Sequence, residues 1–189
     1  MTFSKKNGVL NHSQSPKDDA AHTITFVDPL DASAANVVKV GAGSLVFNPT
    51  NGCPSQVSNL TVNAGTVLFK GDSSPTVGGV VANAGIVRFD VGPTLGDLAV
   101  SDGATASFAA VPTLSGSLTI ASTDANFFVD GVAETMDWEL LATAAEIVGP
   151  NGETKWKSTT GMRRFKVVSG GTDKALYGAK SSGFTVIVR

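Results

Sequence analysis

Four aspartates in the middle of the chain, Asp72, Asp90, Asp97 and Asp102, carry the side chain that general acid–base catalysis most often uses besides histidine. Cleavage of a polysaccharide requires clustered acids, or acids with an Arg or Lys, stacked on one face of a fold. Asp72 and Asp90 follow successive phenylalanines at unequal distances, so they share a corner but not a column, and Asp97 and Asp102 flank one strand-like segment. We interpret all four as turn-capping residues and predict no catalytic residue.

The other groups that could do chemistry are too few or too isolated to form a site. Both histidines, His12 and His22, lie in or beside the polar N-terminal stretch, so no Ser-His-Asp set is predicted. Cys53 is the single cysteine and has no neighbouring His, and we interpret it as a turn residue, with intermolecular pairing as the alternative. The chain lacks calcium-binding Gly-Gly-x-Gly-x-Asp runs and phosphate-binding glycine loops. The sequence therefore predicts no cofactor and no metal.

The composition is typical of short strands joined by tight turns. The 189 residues include 21 glycines, and 42% of the residues are hydrophobic whereas only 16% are charged. A formal net charge of −2 does not favour nucleic acid as a partner, because nucleic acid requires a basic face. No apolar run approaches the roughly 18 residues of a membrane span, and residues 1–19 contain no apolar core of a secretory signal. We expect no membrane insertion and no signal peptide in this chain.

Five segments repeat one pattern at a spacing near twenty residues, which is the signature of a stacked repeat fold. In each, apolar residues alternate with variable ones, a glycine or its replacement follows, and the alternation resumes up to a phenylalanine. The copies are residues 38–47, 60–69, 80–89, 98–108 and 118–128. Alignment of the glycines, beginning with Gly43, places Val40 inward and predicts an outward column of Lys39, Thr61, Val81, Ala99 and Thr119. Because this column is interrupted, the threonine ladder of an ice-binding face is not predicted.

The phenylalanines define the predicted core. They are Phe26, Phe47, Phe69, Phe89, Phe108 and Phe128, at spacings of 21, 22, 20, 19 and 20 residues. Arg88 lies between two apolar residues and must point to water, so its neighbour Phe89 must point inward. Pro-Thr-apolar triplets recur before the copies at 75–77, 93–95 and 112–114 and mark corners. No copy can bury its own inner face, but stacked copies can, so we expect the six rings to form one internal ladder.

The predicted fold class is all-β, a single-stranded parallel β-helix of about five to six rungs with a C-terminal β cap. We divide the chain into a flexible N-terminal arm (1–21), the solenoid repeats (22–133) and the cap (134–189). Within the cap, strands are expected at 137–141, 165–168, 176–177 and 184–188, and at most one helical turn at 143–146. A cap of this kind covers the unpaired backbone groups that an open solenoid end would expose.

Three of the repeated segments, AGSLVF, AGTVLFKG and AGIVRF, resemble the autotransporter-associated β-strand repeats of large secreted bacterial surface proteins. The tail segments WELLATAAEIVG, RRFKVVSGG, ALYG and FTVIVR are similar to the ends of such proteins after the last repeat. The resemblance covers residues 36–189. It implies an extracellular or cell-surface parallel β-helix with a scaffolding or adhesive role.

The function that we predict is a non-enzymatic structural or adhesive module that forms a homo-oligomer or filament, by end stacking or by strand addition of the arm. The alternative is a glycan-binding module of an adhesin or phage fibre. Exposed aromatic residues would favour that alternative, and the sequence offers Phe127, Tyr177 and Trp156 for the role. Trp138 and Trp156 are interpreted as core or cap residues, with a stacking platform for sugars as the alternative. An enzyme is a third reading, and it would need a polar pocket that the sequence does not reveal.

Overall fold

The computed structural model describes residues 22–121, 124–132, 137–149 and 165–179 with their side chains, and the backbone alone of residues 4–6, 9–11 and 164. Within these residues the chain forms strands and turns and no helix, so the protein is all-β as predicted. Two parallel sheets of six strands each make up the main body. The two sheets stack as a parallel β-solenoid of about five turns, which confirms the predicted fold class.

The first sheet contains the longer strands, because three of them also include the inward apolar residue at position 57, 77 or 95. Its strands, in spatial order, are β4 (Asp31–Lys39), β6 (Gln56–Val62), β8 (Thr76–Ala82), β10 (Thr94–Val100), β12 (Ser117–Ile120) and β15 (Glu146–Val148). Buried side chains repeat at matching positions, as in the column Val57, Val77, Leu95 and Leu114. The triplets therefore supply the inward contact that the sequence predicts.

The second sheet is built from four-residue strands that follow the corners. They are, in spatial order, β3 (Thr23–Phe26), β5 (Ser44–Phe47), β7 (Thr66–Phe69), β9 (Ile86–Phe89), β11 (Thr105–Phe108) and β13 (Asn126–Val129). Phe26, Phe47, Phe69, Phe89 and Phe108 stack face to face, with ring centroids 5.6, 4.6, 4.8 and 5.2 Å apart along the series. Five of the six predicted ladder residues thus form one internal stack.

The ring that follows Phe108 in the core is that of Phe127 and not that of Phe128. β13 pairs with β11 so that Phe127 lies beside Ala106, Phe128 beside Ser107 and Val129 beside Phe108. Phe127 is buried, and its ring contacts that of Phe108 at 5.4 Å with a tilt of 39°. The sequence prediction was wrong here by one residue, which in a strand exchanges the inner face for the outer one. It was also wrong to count Phe127 among the exposed aromatic residues.

The glycine alignment was wrong in the first coil. β4 pairs with β6 so that Lys39 lies beside Val62 and Val38 beside Thr61, which turns Lys39 inward. Lys39 is only 9% exposed, whereas Val40 is 61% exposed. The corner after β4 spans residues 40–43 but the next one spans only 63–65, and this extra residue shifts the register by one position.

The inward Lys39 is held by backbone carbonyl groups at the corner. Its ammonium donates to the oxygens of Val40 at 3.0 Å, Gly41 at 2.5 Å and Ala64 at 3.1 Å, so one side chain links two successive coils. Burial lowers the pKa of Lys39 because desolvation penalises the charged form. Three charge-assisted hydrogen bonds compensate for that burial. Gly41 and not Gly43 adopts the positive φ, 76°, that this corner needs.

The C-terminal region adds a last strand to the solenoid and a separate antiparallel sheet. The remaining strands are β1 (Ser4–Lys6), β2 (Val9–Asn11), β14 (Glu139–Ala144), β16 (Arg164–Gly170) and β17 (Asp173–Ala179). β14, β17 and β16 form a three-stranded antiparallel sheet, here called the cap sheet, in that spatial order. Leu141, Phe165 and Leu176 from it belong to the same buried core as the solenoid residues. The cap sheet therefore packs against the solenoid.

The structure tests some of the other predictions for the two ends of the chain, and the remaining ones concern residues that it does not describe. Residues 143–146, predicted to contain at most a helical turn, are the end of β14 and the start of β15. Backbone pairing with the solenoid explains this, since Leu114 donates to the carbonyl of Thr143 at 2.8 Å. In the predicted arm, β1 and β2 pair antiparallel. Its other residues, the predicted strand at 184–188 and Trp156 lie outside the described residues.

Candidate binding surfaces

Asp97 links two neighbouring coils and does not form part of an acid pair. Its carboxylate oxygen accepts from the Ser117 backbone N–H at 2.6 Å and from the Ser117 hydroxyl at 2.8 Å. These two hydrogen bonds lower the pKa of Asp97, the backbone bond most strongly. The turn-capping interpretation was wrong for this residue, because Asp97 lies within β10 and its hydrogen-bond partner begins β12 of the next coil. Asp72 lies at a different corner, where its backbone N–H donates to the Pro49 carbonyl at 3.2 Å.

Replacing Asp97 by asparagine is expected to remove an acid-sensitive contribution to stability. Because the folded-state pKa lies below the unfolded value, the contribution is present above about pH 4 and is lost as the pH falls through the folded-state value. The effect on the free energy of unfolding should stay below about 1 kcal/mol, since the group is exposed. Thermal unfolding of wild type, Asp97→Asn and the control Asp72→Asn at pH 7 and pH 2 tests this. An Asp97→Asn effect of equal size at both pH values would contradict it.

Arg88 forms the closest approach of charged groups in the part of the chain that the structure describes. Its guanidinium contacts the carboxylates of Asp90 and Asp130, each at 2.6 Å. The hydrogen bond that Arg88 donates to Asp130, more than any other contact, raises the pKa of Arg88. Arg88 and Asp130 lie two coils apart, so the side chain crosses the buried Ser107. Asp130, which follows β13 in a turn, is not marked by any pattern in the sequence.

The ion triplet formed by Arg88, Asp90 and Asp130 connects coils of the solenoid. Both carboxylates accept hydrogen bonds from one guanidinium, so their contacts are within the ion triplet. Among the described residues, no group of three or more His, Cys, Asp or Glu side chains is placed to hold a metal ion. Cys53 is exposed in a turn, and its N–H donates to the Asn51 side chain at 3.1 Å. His22 is exposed before β3, and His12 lies outside the described residues.

The outer surface of the first sheet carries an uncharged strip that we call the neutral face. Its central column is Val38, Thr61, Val81, Ala99, Thr119 and Val148, and its flanking column is Asn63, Asn83 and Ser101. The flanking column is linked by side-chain hydrogen bonds, with Asn83 donating to Asn63 at 2.9 Å. Val81 is 39% exposed and Val148 46% exposed. Because Lys39 turns inward, no charged side chain interrupts either column.

A second surface lies on the outer side of the cap sheet, and we call it the aromatic cluster. It consists of Trp138, Lys166 and Tyr177. The Lys166 ammonium lies 4.4 Å from the centroid of the Trp138 ring and 5.4 Å from that of Tyr177. Trp138 is 38% exposed and Tyr177 is half-buried. Tyr177 is thus the one member of this cluster that the sequence proposed as an accessible aromatic residue.

Strand pairing explains how these side chains meet. Lys166 pairs with Tyr177, and Tyr177 pairs with Leu140, so Lys166, Tyr177 and Leu140 lie in one row across β16, β17 and β14. Trp138 precedes Leu140 by two residues, just before β14 begins. Leu176, the next residue along β17, is buried, which turns this row outward. The sequence could not place Trp138 here, because the alternation in this region does not reveal which side of the strand faces the core.

The fold and these surfaces define the class of the protein, a parallel β-solenoid with an antiparallel cap sheet. No helix in the described residues is long and apolar enough to cross a membrane. Comparisons with protein-family models, curated proteins and solved structures find no match.

Proposed function

We propose that this chain is a non-enzymatic structural or adhesive β-solenoid module of a bacterial surface or extracellular protein, and that it self-assembles through the neutral face. The observation that carries the proposal is the uninterrupted uncharged column along the first sheet. A second copy of the chain carries the same regular column, so the neutral faces of two copies can pack against each other in register. The resemblance to autotransporter-associated repeats supports the location.

The physical argument for assembly is that association of neutral faces costs little desolvation. Burying a charged side chain without a partner is expensive, whereas valine, threonine and alanine gain about 25 cal/mol per Å² of apolar surface removed from water. Sheets pack face to face at about 10 Å when their side chains are small enough to interdigitate. The side chains of Val81 and Val148 are already partly exposed and would be covered. The Asn63 and Asn83 amides can pair across such a contact.

The two ends of the solenoid favour different roles in assembly. The cap sheet packs against the last coil, so stacking through that end would compete with it. β3 and β4 are the terminal strands of the two sheets at the other end. We therefore propose that residues 1–21 add a strand to that end of a neighbouring copy, and that copies associate side by side through the neutral face. Light scattering of the chain with and without residues 1–21 separates these two routes.

Val81→Lys is expected to prevent side-by-side assembly. A lysine at the centre of the neutral face would be buried without a partner, and we expect at least about a tenfold higher concentration for assembly. Ile86→Lys is the matched control, because Ile86 belongs to the same coil and is 41% exposed but lies on the second sheet. Sedimentation velocity across a concentration series measures the effect. A wild type that stays monomeric, or equal effects of the two lysines, would contradict the proposal.

Glycan binding is the second candidate, as a module of an adhesin or phage fibre. The observation that favours it is the aromatic cluster, because exposed rings that flank a polar group are typical of surfaces that bind sugars. The two candidates are compatible in one protein. An adhesive solenoid can assemble through one surface and bind its target through another.

A further inference from the structure

We propose that the aromatic cluster is a binding site for a saccharide that carries carboxylate groups. The inference rests on the adhesive function proposed above and names the class of ligand. It follows from three side chains, Trp138, Lys166 and Tyr177, and from the contacts that the Lys166 ammonium makes with both rings on the outer side of the cap sheet.

The Lys166 ammonium supplies the charge for such a ligand. Among the described residues it contacts the two rings and no carboxylate. The nearby Lys174 differs, because its ammonium is paired with Glu146 at 2.7 Å. A cation held by aromatic faces retains hydrogen-bonding capacity for an anion, since the rings occupy only part of its surroundings. Lys166 is therefore positioned to donate to a carboxylate from solvent.

The ring contacts also prepare the site for binding. A free lysine side chain loses rotamer entropy when a ligand fixes it, and this loss weakens binding. Lys166 is already held 4.4 Å from the Trp138 ring and 5.4 Å from the Tyr177 ring, so part of that cost is met in the folded protein. The site is thus preorganised around its cation.

The rings select a saccharide over a simple anion. Trp and Tyr offer an apolar face with a polar edge, which matches a sugar ring that has C–H groups on its face and hydroxyls at its rim. Trp138 is 38% exposed, and its ring centroid lies 4.4 Å from the Lys166 ammonium. A uronic acid residue presents both a C–H face and a carboxylate. Neutral sugars lack the group that would use Lys166.

Calorimetric titration of the full chain with an oligogalacturonate tests the proposal, with a neutral glucose oligomer of equal length as comparison. Wild type should bind the acidic oligomer at least about tenfold more tightly. Lys166→Gln should weaken that binding by about tenfold or more, since a charged hydrogen bond is lost. Lys174→Gln, on the same sheet but ion-paired, should have little effect on affinity. Trp138→Leu, with folding checked by circular dichroism, should weaken binding of both oligomers.

Three outcomes of the titration would contradict the proposed saccharide site. Failure of wild type to bind the acidic oligomer, equal affinity for both oligomers, or equal losses from Lys166→Gln and Lys174→Gln would overturn the inference. The Val81→Lys variant leaves the aromatic cluster intact and should bind the oligomer like wild type. A loss of assembly with retained binding, or the reverse, therefore shows which of the two proposals has failed.

Discussion

Phe89→Ala is expected to lower the free energy of unfolding by about 3–5 kcal/mol, the range typical of truncating a buried phenylalanine. The ring is buried in the middle of the stack, with centroids 4.8 Å from Phe69 and 5.2 Å from Phe108. The plane of the Phe89 ring is tilted by 4° from that of Phe69 and by 7° from that of Phe108, so the variant loses two stacked aromatic contacts. It also opens a cavity that neither adjacent coil can fill without moving relative to the other. Urea denaturation monitored by circular dichroism measures the loss.

Phe128→Ala is the control that makes this prediction specific. Phe128 also follows the twenty-residue spacing, but it pairs with Ser107 on the outer face of β13 and is half-buried. Its truncation should cost less than about 1.5 kcal/mol. If Phe128→Ala destabilised the protein as much as Phe89→Ala, the assignment of inner and outer faces in the last coil would be wrong.

Gly85→Ala is expected to destabilise the protein by about 2–5 kcal/mol, through two effects that add. Gly85 has φ 81°, a conformation that costs an L-residue about 1–2 kcal/mol. A Cβ atom there would also lie 2.3 Å from the carbonyl oxygen of Gly65 in the preceding coil. That oxygen accepts from the Ile86 N–H at 2.9 Å, so moving it strains the ladder between coils. Overpacking of this kind adds about 1–3 kcal/mol.

Gly103→Ala separates the two effects. Gly103 has nearly the same backbone conformation, φ 72°, but a Cβ atom there would meet nothing within 4 Å. Its cost should therefore be limited to about 1–2 kcal/mol. Denaturation midpoints of both variants, taken at equal protein concentration, provide the comparison. A Gly103→Ala loss equal to or larger than that of Gly85→Ala would show that the coils are not stacked closely at this corner.

The sequence predicts the repeating features of this fold well because repetition carries redundant information. The near-constant spacing of five phenylalanines and the recurring Pro-Thr-apolar triplets both require one stacked arrangement, and the structure has it. In the middle coils, position in the repeat alone determines which side of a strand faces the core. A single residue there is supported by equivalents above and below it.

The first and last coils show where this reasoning stops. One additional corner residue turned Lys39 inward and Val40 outward, and a side chain as polar as lysine gives no sequence signal for burial. The buried Lys39 is stabilised by the carbonyl oxygens of Val40, Gly41 and Ala64. Every residue has a backbone carbonyl, so the residue types do not reveal this contact. In the last coil two adjacent phenylalanines fit either face, and only the pairing with β11 decides between them.

The candidate surfaces were harder to predict than the fold. The neutral face depended on the position of Lys39, so the misaligned first coil concealed it. The aromatic cluster combines Trp138 with residues of β16 and β17 that lie far along the chain, and only sheet pairing brings them together. Its members do not belong to the repeat, so no neighbouring copy indicates their orientation.

Disulfide trapping tests the stacking of coils in register most directly. In a Cys53→Ser background, Thr61→Cys with Val81→Cys places thiols on paired residues of adjacent coils, whereas Thr61→Cys with Ala99→Cys skips one coil. Strand neighbours lie about 4.8 Å apart and residues two coils apart about 9.6 Å, and a disulfide needs a Cα separation of about 4.4–6.8 Å. We expect the first pair to form an intramolecular disulfide under mild oxidation and the second to remain reduced. Rapid intramolecular crosslinking of Thr61→Cys with Ala99→Cys, without crosslinking of the first pair, would contradict the solenoid described here.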